Sequence, residues 1–494
     1  MRKIIYILLF CCFWEFLSAC SGFLEEYSQD LTYIRTVDDL NELLVGGGYF
    51  SNTSDMLPML HVMDDDTEFV RKSTNVGYWG FHYWLTNPFV STSGVEQKDN
   101  VWSSFYKYLA VINVVMDKAD DFVSEGDRYR RVKGETYFLR GMDYFYLVNL
   151  YAKPYHATTA ANELGVPLKL TEYVEDKHYE RATLEEVYAS IVSDLKNAIV
   201  HLKGTTQTTK RRANVDAARA MLSRVYLYMA GEENWEQCNA LCDSILKSER
   251  YELRDINEHV KNQNFIFLDS PETIFTQGKN SARRSLFLGQ TMVASYTLSQ
   301  DLLGQYDASI DLRYSRWFNK VNNVGWIWLK YATLSANASA EVSSEFLLRL
   351  SEVYLNKAEA LIMLGRTEEA IVVLRELRKN RLVTGTTDVI PTSQEELVHF
   401  VRLERRLELC GEGHRWFDLR RYAVSPKYPE KVSIRHRIFT PSSIAKEQGI
   451  YAGSYVLKPY GEDNAWVMPI PAYEIEFDQG EMLDNPTRDD RNKE

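Results

Sequence analysis

The chain has 494 residues, a formal net charge of -12, 45% hydrophobic residues and 26% charged residues. This length and composition are those of a folded protein with a large buried core, and they exclude both extensive disorder and a polytopic membrane protein. The acidic charge gives no general attraction for nucleic acid or anionic lipid, so we expect no nucleic-acid partner. The unusual feature is the number of aromatic residues, including 31 Tyr and 10 Trp.

The N-terminus has the pattern of a secretory signal. Two basic residues at positions 2 and 3 precede an apolar run over residues 4–14, which is too short for a membrane span of about 20 residues. The following Leu17-Ser18-Ala19-Cys20 resembles the bacterial lipobox. We therefore predict a signal peptide over residues 1–19 and acylation of Cys20, which would anchor the protein stably to a bilayer. Plain secretion with cleavage near Ala19 is the alternative.

Apolar residues at helical spacing predict a mostly helical chain. The predicted helices, in chain order, lie near Val37–Leu44 and over residues 98–122, 128–151, 184–202 and 214–229, then up to Lys247 after a connector that carries Trp235, then over 346–381 with a break at Gly365, and over 394–421. Thr183 followed by Glu186 is a capping box that starts one of them. Irregular stretches rich in aromatic residues remain at 60–97, 265–340 and 423–494.

The predicted helices form pairs. Residues 355–370, with their small residues and the break at Gly365, resemble the tetratricopeptide pattern, and residues 226–241 repeat it more loosely. The predicted fold is therefore mostly α, with tetratricopeptide-like helix-pair repeats as a scaffold and with long irregular loops and a few short strands carrying the ligand site. A helical bundle without true repeats is the alternative. We expect an N-terminal region over 20–250 with repeat helices and binding loops and a C-terminal region over 251–494, together one compact unit.

Five segments in order resemble the SusD/RagB family of outer-membrane nutrient-binding lipoproteins: Cys20–Glu25, Glu135–Gly141, Phe346–Leu355, Glu404–Arg421 and Met468–Pro471. The sequence departs from the family at Cys410, where an apolar residue, usually Phe, is expected. The resemblance implies a protein on the outer face of the outer membrane that caps a SusC-like TonB-dependent transporter barrel. It also implies a binding protein for oligosaccharides, or in some members peptides, without enzymatic activity.

The most charged segment, Glu404–Arg421, is predicted to be structural. Glu and Arg three or four apart on helices pair with each other, and Arg binds carboxylates bidentately where helices meet. We expect Arg415 and Asp418 to lock the last of these helices onto the repeats.

An acidic loop contains the consecutive residues Asp64, Asp65 and Asp66, followed by Glu68. Hard cations prefer several carboxylate oxygens, so Ca²⁺ is a hypothesis here, but the glycine and spacing of an EF-hand are missing. A solvated acidic loop is the preferred interpretation, and we expect no other cofactor.

Two aromatic stretches are candidate ligand sites, because sugar rings stack on Trp and Tyr while polar side chains read their hydroxyl groups. We rank Trp79 first, since Gly77 and Gly80 beside it suggest a flexible, exposed loop, then Tyr78 and Trp84, then Trp326. The opposing interpretation is that these rings fill the core. Residues 326–328 read as a strand with one Trp facing inward.

The predicted function is that of a cell-surface lipoprotein which binds an oligosaccharide or polysaccharide and delivers it to a TonB-dependent transporter. One alternative is a surface-anchored glycoside hydrolase, which needs only two carboxylates about 5 to 9 Å apart. A peptide-binding family member and a protein-interaction scaffold are further alternatives.

Overall fold

The computed structural model describes residues 34–50, 56–69, 77–173, 178–278, 280, 286–287, 295–321, 325–330, 341–440 and 450–494. The predicted signal peptide and Cys20 lie outside these residues, so their assignment stays a prediction. Within the described residues, no helix combines the length and the apolar character that crossing a membrane requires.

Helices dominate the regular structure of the described residues, as predicted. They are α1 (Val37–Gly47), α2 (Trp79–His82), α3 (Val101–Lys118), α4 (Asp127–Tyr151), α5 (Leu184–Leu202), α6 (Val215–Met229), α7 (Glu232–Leu246), α8 (Gln300–Gly304), α9 (Leu312–Trp317), α10 (Leu350–Met363), α11 (Thr367–Arg378), α12 (Gln394–Leu409), α13 (Arg415–Ala423) and α14 (Ala472–Phe477). Short 3-10 segments lie at Pro58–His61, Ala119–Glu125, Ile256–Glu258 and Asn464–Trp466.

The strands are short and pair only in twos. They are β1 (Thr67–Phe69), β2 (Thr273–Thr276), β3 (Tyr296–Leu298), β4 (Phe318–Val321), β5 (Gly325–Trp328), β6 (Leu347–Arg349), β7 (Ile434–Thr440) and β8 (Ile450–Leu457). The antiparallel pairs are β1 with β3, β2 with β6, β4 with β5 and β7 with β8. Two of these pairs, β1–β3 and β2–β6, join segments more than seventy residues apart in the chain, so local sequence patterns could not predict them.

Capping residues start several helices where the sequence predicts. The Thr183 side chain accepts from the Glu186 backbone and the Glu186 side chain accepts from the Thr183 backbone, which closes the predicted capping box of α5. The Asn214 side chain accepts from the backbone N–H groups of Asp216 and Ala217 and begins α6. Both helices therefore begin at the expected residue because their first free N–H groups have a local acceptor.

Other boundaries differ from the prediction. Trp235 lies inside α7 and is buried, not in a connector. The connector is shorter than expected because Ala230 and Gly231 both have positive φ and reverse the chain within two residues. The helix predicted from residue 346 begins only at Leu350, since β6 precedes it.

Close packing of α4 against α5 depends on glycine. A Cβ atom at Gly134 would lie 2.6 Å from Leu202 Cγ, and one at Gly141 would lie 3.1 Å from Leu195 Cγ. The helices α6 and α7 pack together, as do α10 and α11, and α10 also contacts α7. This agrees with the predicted helix pairs, while their assignment to tetratricopeptide repeats stays a prediction.

Gly134→Ala should destabilise the protein by about 1–3 kcal/mol, because the added methyl group has no space against Leu202. The matched control is Gly46→Ala in α1, where nothing lies within 4 Å of the added atom and Ala should stabilise the helix by up to about 1 kcal/mol. Thermal unfolding of both variants tests this. Equal stability of the two variants would contradict close α4–α5 packing.

A buried ion network joins the C-terminal helices, as predicted. The Glu408 carboxylate contacts Arg313 Nη1 at 3.1 Å, Arg349 Nη1 at 2.8 Å and Arg381 Nη2 at 3.0 Å. Burial alone would raise the pKa of Glu408, but Arg381, Arg349 and Arg313 together hold it well below its ordinary value. The segment Glu404–Arg421 is thus tied to β6, α9 and the residues after α11.

Arg415 and Asp418 both fix α13, but through different partners. Arg415 Nε contacts Asp65 Oδ1 at 2.7 Å, while the Asp418 carboxylate contacts Arg405 Nε at 2.9 Å and Arg421 Nε at 2.8 Å. Arg415 therefore ties α13 to the acidic loop, and Asp418 ties it to α12.

Asp418→Ala should lower the free energy of unfolding by about 3–5 kcal/mol, because it leaves Arg405 and Arg421 buried without their shared carboxylate. The matched control is Glu376→Ala on the surface of α11, where the carboxylate pairs with Lys379 at 2.7 Å and is 44% exposed. That loss should cost at most about 1 kcal/mol. Denaturant unfolding measures both, and a small effect of Asp418→Ala would refute its structural role.

Candidate functional site

The segment from Tyr78 to Trp84 carries unusual backbone geometry. Tyr78 has φ 62° and Trp84 has φ 49°, and they flank the single helical turn α2. The left-handed region costs a bulky side chain about 1–2 kcal/mol, and such strain concentrates at functional sites. Two strained aromatic residues around one turn therefore mark this segment as the first place to look for a ligand.

Neighbouring residues hold the segment in this conformation. The Tyr296 hydroxyl donates to the Gly77 carbonyl at 3.0 Å, and the Gly80 N–H donates to the Val90 carbonyl at 3.1 Å. A Cβ atom at Gly80 would lie 2.6 Å from the Pro88 carbonyl oxygen. The expectation of a flexible loop at Gly80 is therefore wrong, because this glycine is buried and permits close approach of two backbone segments.

Trp79 is half-buried at the start of α2. Its ring packs edge-on against Tyr83, with centroids 4.4 Å apart, and against Phe69, with centroids 5.1 Å apart. Phe69 and Tyr83 are themselves buried, so the indole packs against the core and only part of its surface is exposed. The ring is thus fixed in position before a ligand arrives, which reduces the entropy lost on binding.

Trp84, by contrast, is a core residue. It is 0% exposed, its Nε1–H donates to the Met63 carbonyl at 2.9 Å, and its ring stacks on His436 with centroids 4.3 Å apart. The prediction that Trp84 contacts a ligand directly is therefore wrong, because no face of its ring is open to a ligand.

Trp326 lies on β5, which confirms the predicted strand. It is half-buried beside Tyr314, with ring centroids 5.7 Å apart, whereas Trp328 faces inward at 1% exposure. The backbone N–H of Trp326 donates to Thr297 Oγ1 at 2.6 Å, and the Thr297 hydroxyl donates to the backbone carbonyl of Trp326 at 3.1 Å.

Trp79 and Trp326 lie on opposite faces of the β1–β3 pair. Phe69 and Tyr296 face each other in this pair, as do Glu68 and Thr297. Trp79 contacts Phe69, while the backbone of Trp326 is bonded to Thr297. Because adjacent residues of a strand point to opposite faces, the two tryptophans do not share one surface.

Tyr78 lies at a cleft of about 680 Å³. The cleft combines apolar and aromatic side chains with amide, hydroxyl, ammonium and carboxylate groups, and its lining comprises Met56, Pro58, Met59, Tyr78, Phe81, Phe89, Gln97, Lys98, Asp99, Asn100, Val101, Ser103 and Ser104. Concave surfaces that present a few convergent polar groups beside apolar ones are candidate small-molecule sites, and this one has a larger polar share than most. We call it the Tyr78 cleft.

The sequence did not predict most of the polar residues that line the Tyr78 cleft. Gln97, Lys98 and Asn100 lie just before α3, where the sequence predicted helix from residue 98. The missed signal is Asp99, whose side chain accepts from the Val101 N–H at 2.8 Å and thereby delays the helix start.

Asp99 is the carboxylate among the described lining residues of the Tyr78 cleft. It is 6% exposed and also accepts from the Tyr151 hydroxyl at 2.8 Å. Burial raises the pKa of Asp99, although its hydrogen bonds with Tyr151 and Val101 oppose this. Both of its oxygens are thus used to build the cleft wall.

The acidic loop is not solvated, although the sequence analysis preferred that interpretation. Asp64 and Asp66 are each 4% exposed, so the loop is buried and not solvated. Arg406 Nε contacts Asp66 at 2.7 Å, and Arg415 binds Asp65.

The same contacts argue against the calcium hypothesis, since a Ca²⁺ ion at Asp64–Asp66 would compete with two guanidinium groups. Among the described residues, no group of three or more His, Cys, Asp or Glu side chains is arranged to hold a metal ion.

Comparison with known proteins gives a consistent result across both halves of the chain. A model of the SusD family matches residues 270–487. A model described as "Starch-binding associating with outer membrane" matches residues 40–227.

Related sequences and solved structures agree with these matches. A SusD-like protein of Formosa agariphila is 23% identical over 513 residues, which covers 89% of this chain and 93% of the relative. A SusD superfamily protein from Bacteroides thetaiotaomicron superposes with a TM-score of 0.70 at 22% identity, covering 92% of this chain and 100% of that one. A SusD-like carbohydrate binding protein from Bacteroides vulgatus gives a TM-score of 0.67 at 20% identity, with 90% and 97% of the two chains covered. At these identities the structures establish the fold, which is that of the SusD superfamily.

The predicted resemblance is therefore confirmed over both regions of the chain, and the family model that matches residues 40–227 describes a starch-binding family associated with the outer membrane. The chain belongs to the SusD/RagB family.

Proposed function

We propose that this protein is a lipid-anchored, cell-surface binding protein that captures a nutrient glycan at the Tyr78 cleft and passes it to a SusC-like TonB-dependent transporter. The observation that carries the proposal is the strained Tyr78 in the lining of a cleft that also presents polar groups. The half-buried Trp79 follows it directly in the chain. Aromatic faces and amide or hydroxyl groups are the two components that sugar recognition needs. The ligand class and the outer-membrane setting are supported by the match to a starch-binding family associated with the outer membrane and by the likeness to a carbohydrate binding protein of Bacteroides vulgatus.

The cleft supports binding more than hydrolysis. A glycoside hydrolase needs two carboxylates flanking the bond that is cleaved, one of them free to donate a proton. Asp99 contributes one carboxylate to the described cleft lining, and both of its oxygens accept hydrogen bonds from within the protein. Reducing-end release from a bound oligosaccharide by the purified protein would favour the hydrolase alternative.

Tyr78→Gly should weaken glycan binding by about tenfold or more while leaving the melting temperature unchanged. Glycine accepts positive φ without strain, so the substitution removes the ring and keeps the backbone. One stacking interaction of about 1.4 kcal/mol corresponds to that factor. Trp79→Ala should act in the same direction. Calorimetric titration with the best glycan from a binding screen, together with thermal unfolding, measures both effects.

The matched control is Trp84→Ala, which removes a ring of the same chemistry from the same turn. Because Trp84 is buried, this variant should lose about 3–5 kcal/mol of stability. A stability loss at Tyr78 or Trp79 with unchanged affinity would place the site elsewhere. Binding of peptides but not glycans to the wild-type protein would favour the peptide-binding alternative.

Cys20→Ala should move the protein from the membrane fraction to the soluble fraction, because it removes the proposed acylated residue. The matched control is Cys12→Ala, since Cys12 would leave with the signal peptide and its loss should not change the fraction. Fractionation of cells without the transporter, followed by a high-salt wash, gives the readout. Membrane retention of the Cys20→Ala protein under these conditions would exclude Cys20 as the anchor.

A further inference from the structure

A second cleft adjoins the Tyr78 cleft and shares Phe89, Gln97, Lys98 and Asp99 with it. Its volume is about 800 Å³, and its other wall is formed by the segment from Pro469 to Glu476 with Asp484. We call it the Tyr473 cleft. Because the two clefts have a common wall, a chain of several sugar units can contact both.

Two aromatic rings from distant segments line the Tyr473 cleft. The Phe89 N–H donates to Asn87 Oδ1 at 2.9 Å, and the Phe89 ring packs edge-on against Phe81 with centroids 5.1 Å apart. The Tyr473 hydroxyl donates to the Asp99 carbonyl at 3.2 Å, and Lys98 Nζ lies 5.5 Å from the Tyr473 ring centroid. Both half-buried rings are therefore held in place by the protein itself and can serve as stacking surfaces.

The charges of the Tyr473 cleft are mostly negative. Glu96, Glu476 and Asp484 are exposed carboxylates of its lining, and Lys98 is the cation among its described lining residues. Asp484 accepts from the Ile470 N–H at 2.7 Å. Burial raises the pKa of Tyr473 to about 12, so its phenol stays neutral and adds no charge. A cleft lined by one sign of charge repels ligands of that sign.

We propose that the Tyr473 cleft is a subsite for a neutral oligosaccharide, in which Phe89 and Tyr473 stack on sugar rings and the exposed carboxylates accept hydrogen bonds from sugar hydroxyl groups. The same carboxylates exclude glycans that carry uronate or sulfate groups. Lys98 already occupies the cation position at the Tyr473 ring, which favours a neutral ligand over a cationic one. This inference rests on the proposed glycan-binding function and extends it by a second subsite and by the charge class of the ligand.

The test uses the purified full-length protein and five defined hexasaccharides. Maltohexaose, cellohexaose, xylohexaose and mannohexaose are the neutral probes, and hexagalacturonate is the anionic probe. The variants are Tyr473→Ala and Glu476→Gln. Matched controls are Phe477→Ala, which removes a ring that is 74% exposed, and Glu481→Gln, which removes an exposed carboxylate; neither residue lines the cleft.

At low salt the best neutral hexamer should bind at least about tenfold more tightly than hexagalacturonate. The difference between the two affinities should decrease as the salt concentration rises. Tyr473→Ala should weaken binding of the neutral hexamer by about tenfold, whereas Phe477→Ala should leave this affinity unchanged. Glu476→Gln should reduce the discrimination against hexagalacturonate by about threefold, and Glu481→Gln should leave it unchanged. If Tyr473→Ala folds poorly, Tyr473→Leu keeps apolar packing below Lys98 and still removes the flat ring.

Two results overturn the inference while the proposed function stands. One is wild-type affinity of both Tyr473 variants for a hexamer whose binding is weakened by Tyr78→Gly. The other is tighter binding of hexagalacturonate than of every neutral hexamer. Failure of all five hexasaccharides to bind would instead contradict the proposed glycan-binding function itself, and the subsite with it.

Discussion

The Glu408 carboxylate, shared by Arg313, Arg349 and Arg381, is the interaction on which the arrangement of the C-terminal half depends. Burying these charges is expensive, and their mutual attraction repays that cost only if each one finds its partners. The network therefore has few acceptable geometries, because moving one element leaves an uncompensated charge in the interior. It joins α12 to α9, to β6 and to Arg381 in the segment after α11, and it fixes these elements more strictly than apolar packing alone could.

Ion pairs also connect the C-terminal helices to the binding loops, and they do so through the acidic loop. Arg406 of α12 and Arg415 of α13 bind Asp66 and Asp65, which directly precede β1. β1 pairs with β3, whose Tyr296 donates to the Gly77 carbonyl beside the strained Tyr78. A continuous series of ion pairs and hydrogen bonds thus runs from the buried network to the cleft. Asp65 and Asp66, for which the sequence favoured a solvated loop, instead act as counter-ions for Arg415 and Arg406.

The sequence predicted what depends on local order and missed what depends on distant contacts. The capping residues Thr183 and Asn214 define their helices through neighbours within three residues, so both starts were predictable. Trp79 and Trp84 lie five positions apart in one aromatic run, yet one is half-exposed and the other is buried against His436, which comes from β7. No local pattern distinguishes them. Gly80 was misread for the same reason, because a glycine needed for close contact with Pro88 looks in sequence like a glycine that gives flexibility.

The position of Tyr78 shows how the rigid part of the molecule and its binding surface are related. A tyrosine with positive φ is unfavourable in isolation, and it persists only where surrounding contacts leave the chain no easier path. Here those contacts are the Tyr296 hydrogen bond on one side and the tight approach of Gly80 to Pro88 on the other. None of these residues lines the Tyr78 cleft, although Pro88 lines the adjoining Tyr473 cleft. Contacts of the folded scaffold thus offset the strain and hold an aromatic ring at the cleft before a ligand binds. This preorganisation lowers the entropy lost on binding.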